Sequence, residues 1–376
     1  GAAACSSEQA PSADGSSPAG SASASEVDTA QPSDAPPSAS QSPSDDATTS
    51  ELAALREPGP AVDLGPGTIA AVTADGQHVL VHAPVTGSDQ LGCEGQPFDV
   101  LWSVDVRTGD RVQAIEGPES SQPANGRILL TGDGHLAIVE QCEGYLGDVL
   151  VGDIDGRGNI TNLTKVALPP VDLRAHNFHW MPGDKELVAT GVAALDSPGV
   201  WVMDPEAGDW LDIDNRPLND WIPLGDGRVA EISVEGRITL LDAAGVEIVS
   251  FAGDEFVAGP EGLPGISLTY SGGEDEANGV TLVHQDGARE VLSKAGGSAA
   301  SFAPGGKVVA WSAFDPDTFA MSTILHDLTD GREFVLEDVY FAGLSWLDSG
   351  VAYVAAGAQD ESGFAPPVIR YRHYAN

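Results

Sequence analysis

Basic residues are scarce in this chain of 376 residues. Lysine and arginine together number 17, against 57 aspartates and glutamates, so the formal net charge at pH 7 is −40. Proteins that bind nucleic acid through its phosphates need a positively charged surface. The composition therefore argues against a nucleic-acid partner, and its acidity favours a soluble protein that attracts cations or basic surfaces.

Long apolar runs and familiar enzyme motifs are also missing. No stretch approaches the roughly 18 consecutive apolar residues of a membrane-spanning helix. The sequence contains no Gly-x-Ser-x-Gly, no His-Glu-x-x-His and no phosphate-binding loop. Its acids are too numerous for a catalytic pair to be identified by spacing. The question of catalysis therefore stays open, with a non-enzymatic role preferred.

Aromatic residues are absent before Phe98, and residues 1–50 consist mainly of Ser, Ala, Pro, Asp and Gly. Such a segment buries too little apolar surface to offset the entropy that is lost on ordering. We therefore predict a disordered tether over residues 1–55, followed by one folded domain over residues 56–376.

Two kinds of hairpin alternate through the folded domain. The first kind has a short apolar run on each side of a Gly-containing turn, and its seven second runs contain Val79, Leu136, Leu187, Val229, Ile266, Val308 and Val351. The second kind has an apolar strand, a turn with Asp and Gly, and an alternating strand, and its six copies begin at Leu101, Val149, Val200, Ile238, Val280 and Ile324. Glycine supplies the positive φ that such tight turns require.

A unit of two hairpins gives four antiparallel strands, which is the content of one propeller blade. The last unit ends with residues 366–376 and is one strand short. An unpaired edge would remain unless another segment, such as Ala61 to Leu64, supplied that strand. We predict an all-β, seven-bladed β-propeller whose last blade is closed by an N-terminal strand. Six or eight blades are the alternatives, because the fifth unit is short and the first is long.

Two segments carry a resemblance to a known family: SFAPGGKVVAW, which begins at Ser301, and LWSVDVRTGDRV, which begins at Leu101. They resemble the WD40-like (PD40) repeats of the TolB-type β-propeller superfamily. The resemblance extends over about Val62 to Asn376, although the usual Ser-Pro-Asp-Gly of the first turn is mostly altered. It implies the propeller fold and little about activity, since propellers carry unrelated functions.

The start of the chain, Ala2-Ala3-Ala4-Cys5 followed by two serines, resembles the end of a bacterial lipobox, although Ala2 stands where leucine is usual. The resemblance implies that an upstream signal segment is removed and that Cys5 carries a lipid. The protein would then be an extracytoplasmic lipoprotein that contacts the cell membrane through this lipid alone. The alternative is a cysteine without that role in a polar tail.

The other two cysteines lie in matching segments of adjacent units. Cys93 and Cys142 are each followed by Glu-Gly and, at the same spacing, by Asp-Val-Leu. Equivalent connections of neighbouring blades lie side by side, so we predict a disulfide between them, which suits an oxidising exterior. Two free thiols, or two related blades without a bond, are the alternatives.

Two groups of residues resemble metal ligands. Asp153, Asp155 and Asn159 place oxygens at alternating positions, as calcium loops do, but they coincide with a repeated hairpin turn and lack a closing glutamate. His176 and His179 have no identifiable third ligand. We therefore predict no cofactor, with calcium as the alternative.

Acidic residues recur in the connections between second and third strands, which gather on one face of a propeller. The acids concerned are Asp89, Glu94, Glu143, Asp148, Glu274, Asp275, Glu276, Asp315, Asp317, Asp360 and Glu361. Such a face would attract a cation or a basic partner. Alternatively, the acids only reflect the charge of the whole chain.

These features favour a monomeric, membrane-anchored bacterial propeller that binds a protein partner or a small ligand in the cell envelope. The alternative function is an enzyme, lactonase- or quinoprotein-like, with a metal or cofactor in the central channel. A structural spacer without a specific ligand is a third interpretation. Polar side chains that converge from several blades on one channel mouth would favour the enzyme, and a plain channel under a broad loop surface would favour the binding module.

Overall fold

The structure of the protein is a computed structural model. It describes residues 58–84, 99–115, 126–131, 134–142, 145–168, 176–181, 183, 186–191, 199–204, 208–260, 265–269, 279–314, 321–336, 339–356 and 367–374. These residues form 28 β-strands in seven four-stranded sheets. No helix within these ranges is long and apolar enough to cross a membrane. The predicted tether over residues 1–55 lies outside the described residues.

The first strand, β1 (Pro58–Pro66), precedes six blades that each use four consecutive strands. Blade 1 consists of β2 (Thr68–Val72), β3 (His78–Pro84), β4 (Asp99–Asp105) and β5 (Arg111–Gln113). Blade 2 consists of β6 (Gly126–Leu130), β7 (His135–Cys142), β8 (Tyr145–Ile154) and β9 (Ile160–Val166). Blade 3 consists of β10 (His176–Trp180), β11 (Leu187–Gly191), β12 (Gly199–Met203) and β13 (Trp210–Asp214).

The next three blades repeat the same antiparallel order. Blade 4 consists of β14 (Leu218–Pro223), β15 (Val229–Ser233), β16 (Arg237–Leu241) and β17 (Glu247–Ala252). Blade 5 consists of β18 (Glu255–Val257), β19 (Gly265–Leu268), β20 (Val280–Val283) and β21 (Arg289–Ser293). Blade 6 consists of β22 (Gly297–Phe302), β23 (Val308–Phe314), β24 (Met321–Asp327) and β25 (Glu333–Leu336).

Blade 7 is completed by the N-terminal strand. It consists of β26 (Val339–Leu347), β27 (Gly350–Ala356) and β28 (Pro367–Tyr374), with β1 as its outermost strand. Strand β1 pairs antiparallel with β28, and Val62 lies opposite Tyr371. The predictions of seven blades and of closure by an N-terminal strand are therefore confirmed. The fifth blade is a full blade although its first strand is short.

Burial follows the position of a strand within its blade. Every residue of the second strands β11 and β19 is buried, whereas most residues of the outermost strand β13 are exposed. Neighbouring blades cover both faces of a sheet near the centre of the ring and move apart at its rim. Inner strands consequently have nearly continuous apolar sequences, as strands covered on both faces do.

Within the described residues, the core consists of seven hydrophobic clusters, and each lies between two consecutive blades. Leu325 of blade 6 packs in one cluster with Tyr353 of blade 7, and Val81 of blade 1 packs in another with Ile369 of blade 7. Since one of the clusters joins the last blade to the first, side-chain packing closes the ring together with the β1–β28 pairing.

Tryptophans contribute to the contacts between blades. The indole N–H of Trp180 donates to the Leu129 carbonyl (3.3 Å), and that of Trp346 donates to the Ser301 carbonyl (3.1 Å). Both bonds join the first strands of adjacent blades. The large ring fills space between the sheets while its polar atom finds a backbone partner.

Candidate functional site

The connections gather at two ends of the ring. The turn end carries the connections from first to second strands and from third to fourth strands. The loop end carries the connections from second to third strands and from one blade to the next. Connections from Pro84 to Asp99, from Leu268 to Val280 and from Ala356 to Pro367 lie at the loop end. Each exceeds the longest connection of the turn end, which runs from Val257 to Gly265.

At the turn end, the aspartates of the repeated hairpins bind their own backbone. Asp105 Oδ1 accepts the N–H groups of Arg107 (2.8 Å) and Thr108 (3.1 Å). Asp242 Oδ1 accepts those of Ala244 (2.9 Å) and Val246 (2.8 Å). The recurring Asp therefore shapes a turn, which is the ordinary local use of this side chain.

Ionisation of these turn aspartates is favoured by the same bonds. Burial disfavours the charged form of Asp105, but the hydrogen bonds from the N–H groups of Arg107 and Thr108 outweigh it and lower the pKa of the carboxyl. Burial likewise opposes ionisation of Asp155, and bonds from Asn159 and Arg157 outweigh it and lower its pKa. These carboxylates stabilise the hairpins, because they accept hydrogen bonds from groups within the same turn.

The turn that resembles a calcium loop, which contains Asp153 and Asp155, is one of these hairpins. Asp155 Oδ1 accepts the N–H groups of Arg157 and Asn159, each at 2.9 Å. Asp153 accepts instead from Asn162 Nδ2 (2.7 Å). The two carboxylates therefore have separate partners. Among the described residues, no group of three or more His, Cys, Asp or Glu side chains is arranged to hold a metal ion.

The innermost strands of blades 2, 3 and 4 carry a row of polar side chains near the loop end. Each of three consecutive strands, β6, β10 and β14, has a polar second residue: Arg127, Asn177 and Asn219. Arg127 Nη1 donates to Asn177 Oδ1 (3.4 Å), and Asn177 Nδ2 donates to the Asn219 carbonyl (2.9 Å). Asn219 Nδ2 in turn donates to the Ser233 carbonyl (3.1 Å). The row thus crosses two blade boundaries.

A histidine–aspartate pair lies next to this row, toward the turn end. His179 Nε2 and Asp220 Oδ1 are 2.8 Å apart, and Asp220 Oδ1 also accepts the Trp221 N–H (2.9 Å). Asp220 is only 9% exposed. His179 follows Asn177 by two residues, so both side chains lie on the same face of β10. We call Arg127, Asn177, His179, Asn219 and Asp220 the channel-mouth cluster.

An ion-pair cluster joins blades 3 and 4 at the same end. Arg216 Nε donates to both carboxylate oxygens of Asp214 (2.9 and 3.1 Å), and Arg216 Nη1 donates to Glu231 Oε2 (2.9 Å). Hydrogen bonds with Asp214 and Glu231 raise the pKa of Arg216, and the guanidinium lowers the pKa of Asp214. Glu231 is buried, and its charge is compensated because Arg216 Nη1 and Nη2 each donate to one of its two carboxylate oxygens.

The predicted acidic face lies mostly outside the described residues. The acids Asp89, Glu94, Glu143, Glu274, Asp275, Glu276, Asp315, Asp317, Asp360 and Glu361 all belong to that part of the chain. Asp148 is described, and it lies within β8, where its Oδ1 is 2.5 Å from Lys165 Nζ on β9. The acidic docking face therefore stays a prediction.

The cysteine predictions are also untested. Cys5 and Cys93 lie outside the described residues, and Cys142 is the last residue of β7. The repeats predict this residue in the connection between the second and third strands of blade 2, and it lies at the end of the strand beside that connection. The disulfide and the lipid attachment stay predictions.

Sequence reasoning singled out one member of the channel-mouth cluster, His179, and paired it with His176 as a metal ligand. The actual partner of His179 is Asp220, which lies on the next blade. Arg127, Asn177 and Asn219 were missed. An alignment of the repeats could have indicated these residues. The second residue of the first strand is polar in three consecutive blades, whereas the corresponding residue of β2 is Ile69.

Comparison with known proteins identifies the fold alone. No protein-family profile and no curated relative matches the chain. An oligogalacturonate lyase solved in complex with manganese is similar over 84% of this chain and 93% of its own, with 14% identity and a TM-score of 0.58. The Myceliophteria thermophila Cps50 (Swd1) β-propeller domain is similar over 86% and 100%, with 12% identity and a TM-score of 0.53.

TolB from Acinetobacter baumannii is similar over 79% of this chain and 80% of its own, with 14% identity and a TM-score of 0.45. At such low sequence identities, structural similarity indicates a shared architecture and not a shared activity. The seven sheets, the closing strand and the two similarities above a TM-score of 0.5 agree with one another, and they show that this chain has the seven-bladed β-propeller fold.

Proposed function

We propose that this protein is an extracytoplasmic lipoprotein, anchored through Cys5, whose propeller binds a basic protein partner through its loop end. The observation that carries the proposal is the difference between the two ends of the ring, whereas the polar side chains of the channel-mouth cluster, which come from three blades, favour the alternative of an enzyme. Short hairpins whose carboxylates bind their own backbone form the turn end, whereas the loop end carries the long connections. Rigid blades that present long loops are a common basis for recognition.

Charge supports a basic partner. The connections of the loop end contain three basic residues, Arg174, Arg216 and Lys294, and Arg216 is bound by Asp214 and Glu231. The acids Glu274, Asp275 and Glu276 lie together in one of these connections. A surface of this kind accelerates encounter with an oppositely charged partner, and salt screens the attraction.

Crosslinking on intact source cells, followed by affinity capture of the protein, tests this function. We expect one dominant partner, lost when Glu274, Asp275 and Glu276 are changed to Ser. The matched control removes the same charge elsewhere, by Asp209→Ser, Asp212→Ser and Glu247→Ser, because these exposed acids lie on outer strands or at the turn end. Equal capture by both triple variants would overturn the assignment of the loop end.

The anchor has its own test. The protein should fractionate with membranes and carry a lipid on Cys5, whereas Cys5→Ser should release a folded propeller into the soluble fraction. Mass spectrometry of the N-terminal peptide identifies the modification. An unmodified Cys5 in protein purified from the membrane fraction would exclude this form of attachment.

A further inference from the structure

The boundary between blades 3 and 4 has the smallest apolar core among the described residues. Its hydrophobic cluster contains three buried residues: Val188, Val200 and Leu218. Each of the other six clusters contains at least six, including the one that joins blade 7 to blade 1, where the N-terminal strand closes the ring. Because apolar stabilisation grows with the area buried, apolar packing holds blades 3 and 4 together less strongly than other neighbours.

A buried hydroxyl weakens this boundary further. Thr190 lies opposite Val200 in the pairing of β11 with β12, and both residues are fully buried. Thr190 also follows Val188 by two residues, so its side chain faces the same cluster. Thr190 Oγ1 has no hydrogen-bond partner among the described residues, which is costly for a buried polar atom. The equivalent pair of blade 5 is apolar, with Leu268 opposite Val280.

Charged side chains take the place of apolar contacts at this boundary. Glu231 alternates with Ala230 and Ile232, which pack toward blade 5, so Glu231 faces blade 3. Glu231 is buried, and Arg216 donates to both of its carboxylate oxygens and to Asp214 of blade 3. Removal of one partner from such a pair leaves a buried charge uncompensated. Arg216 therefore links the two blades.

We propose that the ring opens transiently between blades 3 and 4, and that Arg216 is the latch of this boundary. Opening exposes little apolar surface and gives the Thr190 hydroxyl access to water, whereas it breaks the bonds between Arg216 and Glu231. The contact of His179 with Asp220 is also lost, but both groups bond to water once they are exposed. Local opening occurs where few buried apolar contacts oppose it. This motion is independent of the proposed partner.

Labelling of buried thiols in the full chain tests the opening. Val200→Cys places a thiol at the boundary of blades 3 and 4, and Val280→Cys places one at the equivalent position of blade 5. Digestion and mass spectrometry after a timed pulse of thiol reagent distinguish each site from the native cysteines. We expect the Val200→Cys thiol to react about tenfold faster or more, because its boundary opens more often. Equal rates would overturn the proposal.

A change at Thr190, made in the Val200→Cys protein, tests the role of the buried hydroxyl. Thr190→Val replaces the hydroxyl by a methyl group and should slow labelling about tenfold. Thr323→Val is the matched control, because Thr323 is also fully buried and without a partner among the described residues. Thr323 lies opposite Leu336, in the cluster between blades 6 and 7, so its replacement should leave this labelling rate unchanged. Equal effects of the two changes would contradict the role of Thr190.

Changes at Arg216, in the same Val200→Cys protein, test the latch. Arg216→Gln should accelerate labelling about tenfold or more, and Arg216→Lys, which keeps the charge without the paired donors, should give an intermediate rate. Arg228→Gln is the control and should have no effect, because Arg228 pairs with Asp226 at the turn end. Circular dichroism establishes that each variant folds. Arg216→Gln labelling at the original rate would exclude the latch.

A second pair of thiols covers the case in which Val200→Cys does not fold. Val188→Cys lies in the same cluster as Val200, and Ile266→Cys lies in the cluster of Val280. We expect the same order of labelling rates, with Val188→Cys the faster. Equal rates for this pair would equally overturn the proposal.

Discussion

Arg111 on the outermost strand of blade 1 binds the backbone carbonyl of Leu64 on the strand that closes blade 7. Its Nη2 donates to Leu64 O (2.8 Å) and to Pro66 O (2.9 Å), and its Nε also donates to Leu64 O (3.2 Å). Between these two carbonyls lies Gly65, whose φ of 94° brings the backbone against the guanidinium. Blade 1 therefore holds the N-terminal strand β1 by side-chain hydrogen bonds, although β1 belongs to the sheet of blade 7.

Replacement of Arg111 by Ala should loosen that closing strand. Three charge-assisted hydrogen bonds to carbonyls are lost, so we expect the free energy of unfolding to fall by about 1–3 kcal/mol. Amide hydrogen exchange should accelerate in residues 58–66 before it does in other strands. Arg107→Ala is the control, because Arg107 is 81% exposed and 3.9 Å from Asp105. Equal effects of both changes would contradict this role of Arg111.

Asp348 and Asp75 place two carboxyl groups at the turn end, between blades 7 and 1. The Asp348 carboxylate lies where a Cβ atom would stand on Gly76, and the Asp348 N–H donates to the Gly76 carbonyl (3.2 Å). Burial and then the charge of Asp75 raise the pKa of Asp348. A raised pKa in the folded state means that the ionised group destabilises the fold above that pKa.

Asp348→Asn should therefore raise the melting temperature at about pH 7, by on the order of 1 °C, and the gain should vanish below about pH 4. Asp226→Asn should act with the opposite sign. The hydrogen bond from Arg228 lowers the pKa of Asp226, so its stabilising contribution is present at neutral pH and is lost as the pH falls. Thermal melts across this pH range check both, and shifts of the same sign would refute the account.

Asp242 tests the role of the repeated turn aspartate. Asp242→Ala leaves the N–H groups of Ala244 and Val246 without their acceptor, so we expect a loss of about 0.5–1.5 kcal/mol. Asp242→Asn keeps an acceptor oxygen and should cost less. Asp212→Ala on the exposed strand β13 should stay within about 0.5 kcal/mol. Denaturant unfolding measures all three, and equal costs for Ala and Asn at position 242 would reject the turn role.

The predicted Cys93–Cys142 disulfide is tested by mass spectrometry without reductant. We expect one linked peptide pair, and Cys93→Ser together with Cys142→Ser should lower the free energy of unfolding by about 2–4 kcal/mol. Reduction of the unmodified protein should give a similar loss, and reduction of the double variant should have no effect. Two thiols that alkylate freely in the native protein would rule the bond out.

The features that could be predicted from the sequence are those that depend on local patterns. The hairpins gave seven second strands, and Val79, Val229 and Val351 each lie in the predicted second strand. The sequence also predicted that the last blade lacks its outer strand and that an N-terminal segment supplies it, because an open sheet edge is costly. The channel-mouth cluster could not be predicted from the sequence, because His179 and Asp220 are on different blades and their contact does not correspond to any spacing within one strand.

By itself, the sequence determined the all-β repeat, the blade count and the need for an N-terminal closing strand. These features follow from alternation, turn chemistry and the pairing of backbone groups, which act over a few residues or repeat along the chain. Only the tertiary structure decided which side chains meet across blades: Arg111 with Leu64, and Asp220 with His179. Such contacts depend on how neighbouring sheets pack around the ring, so residues distant in sequence become neighbours.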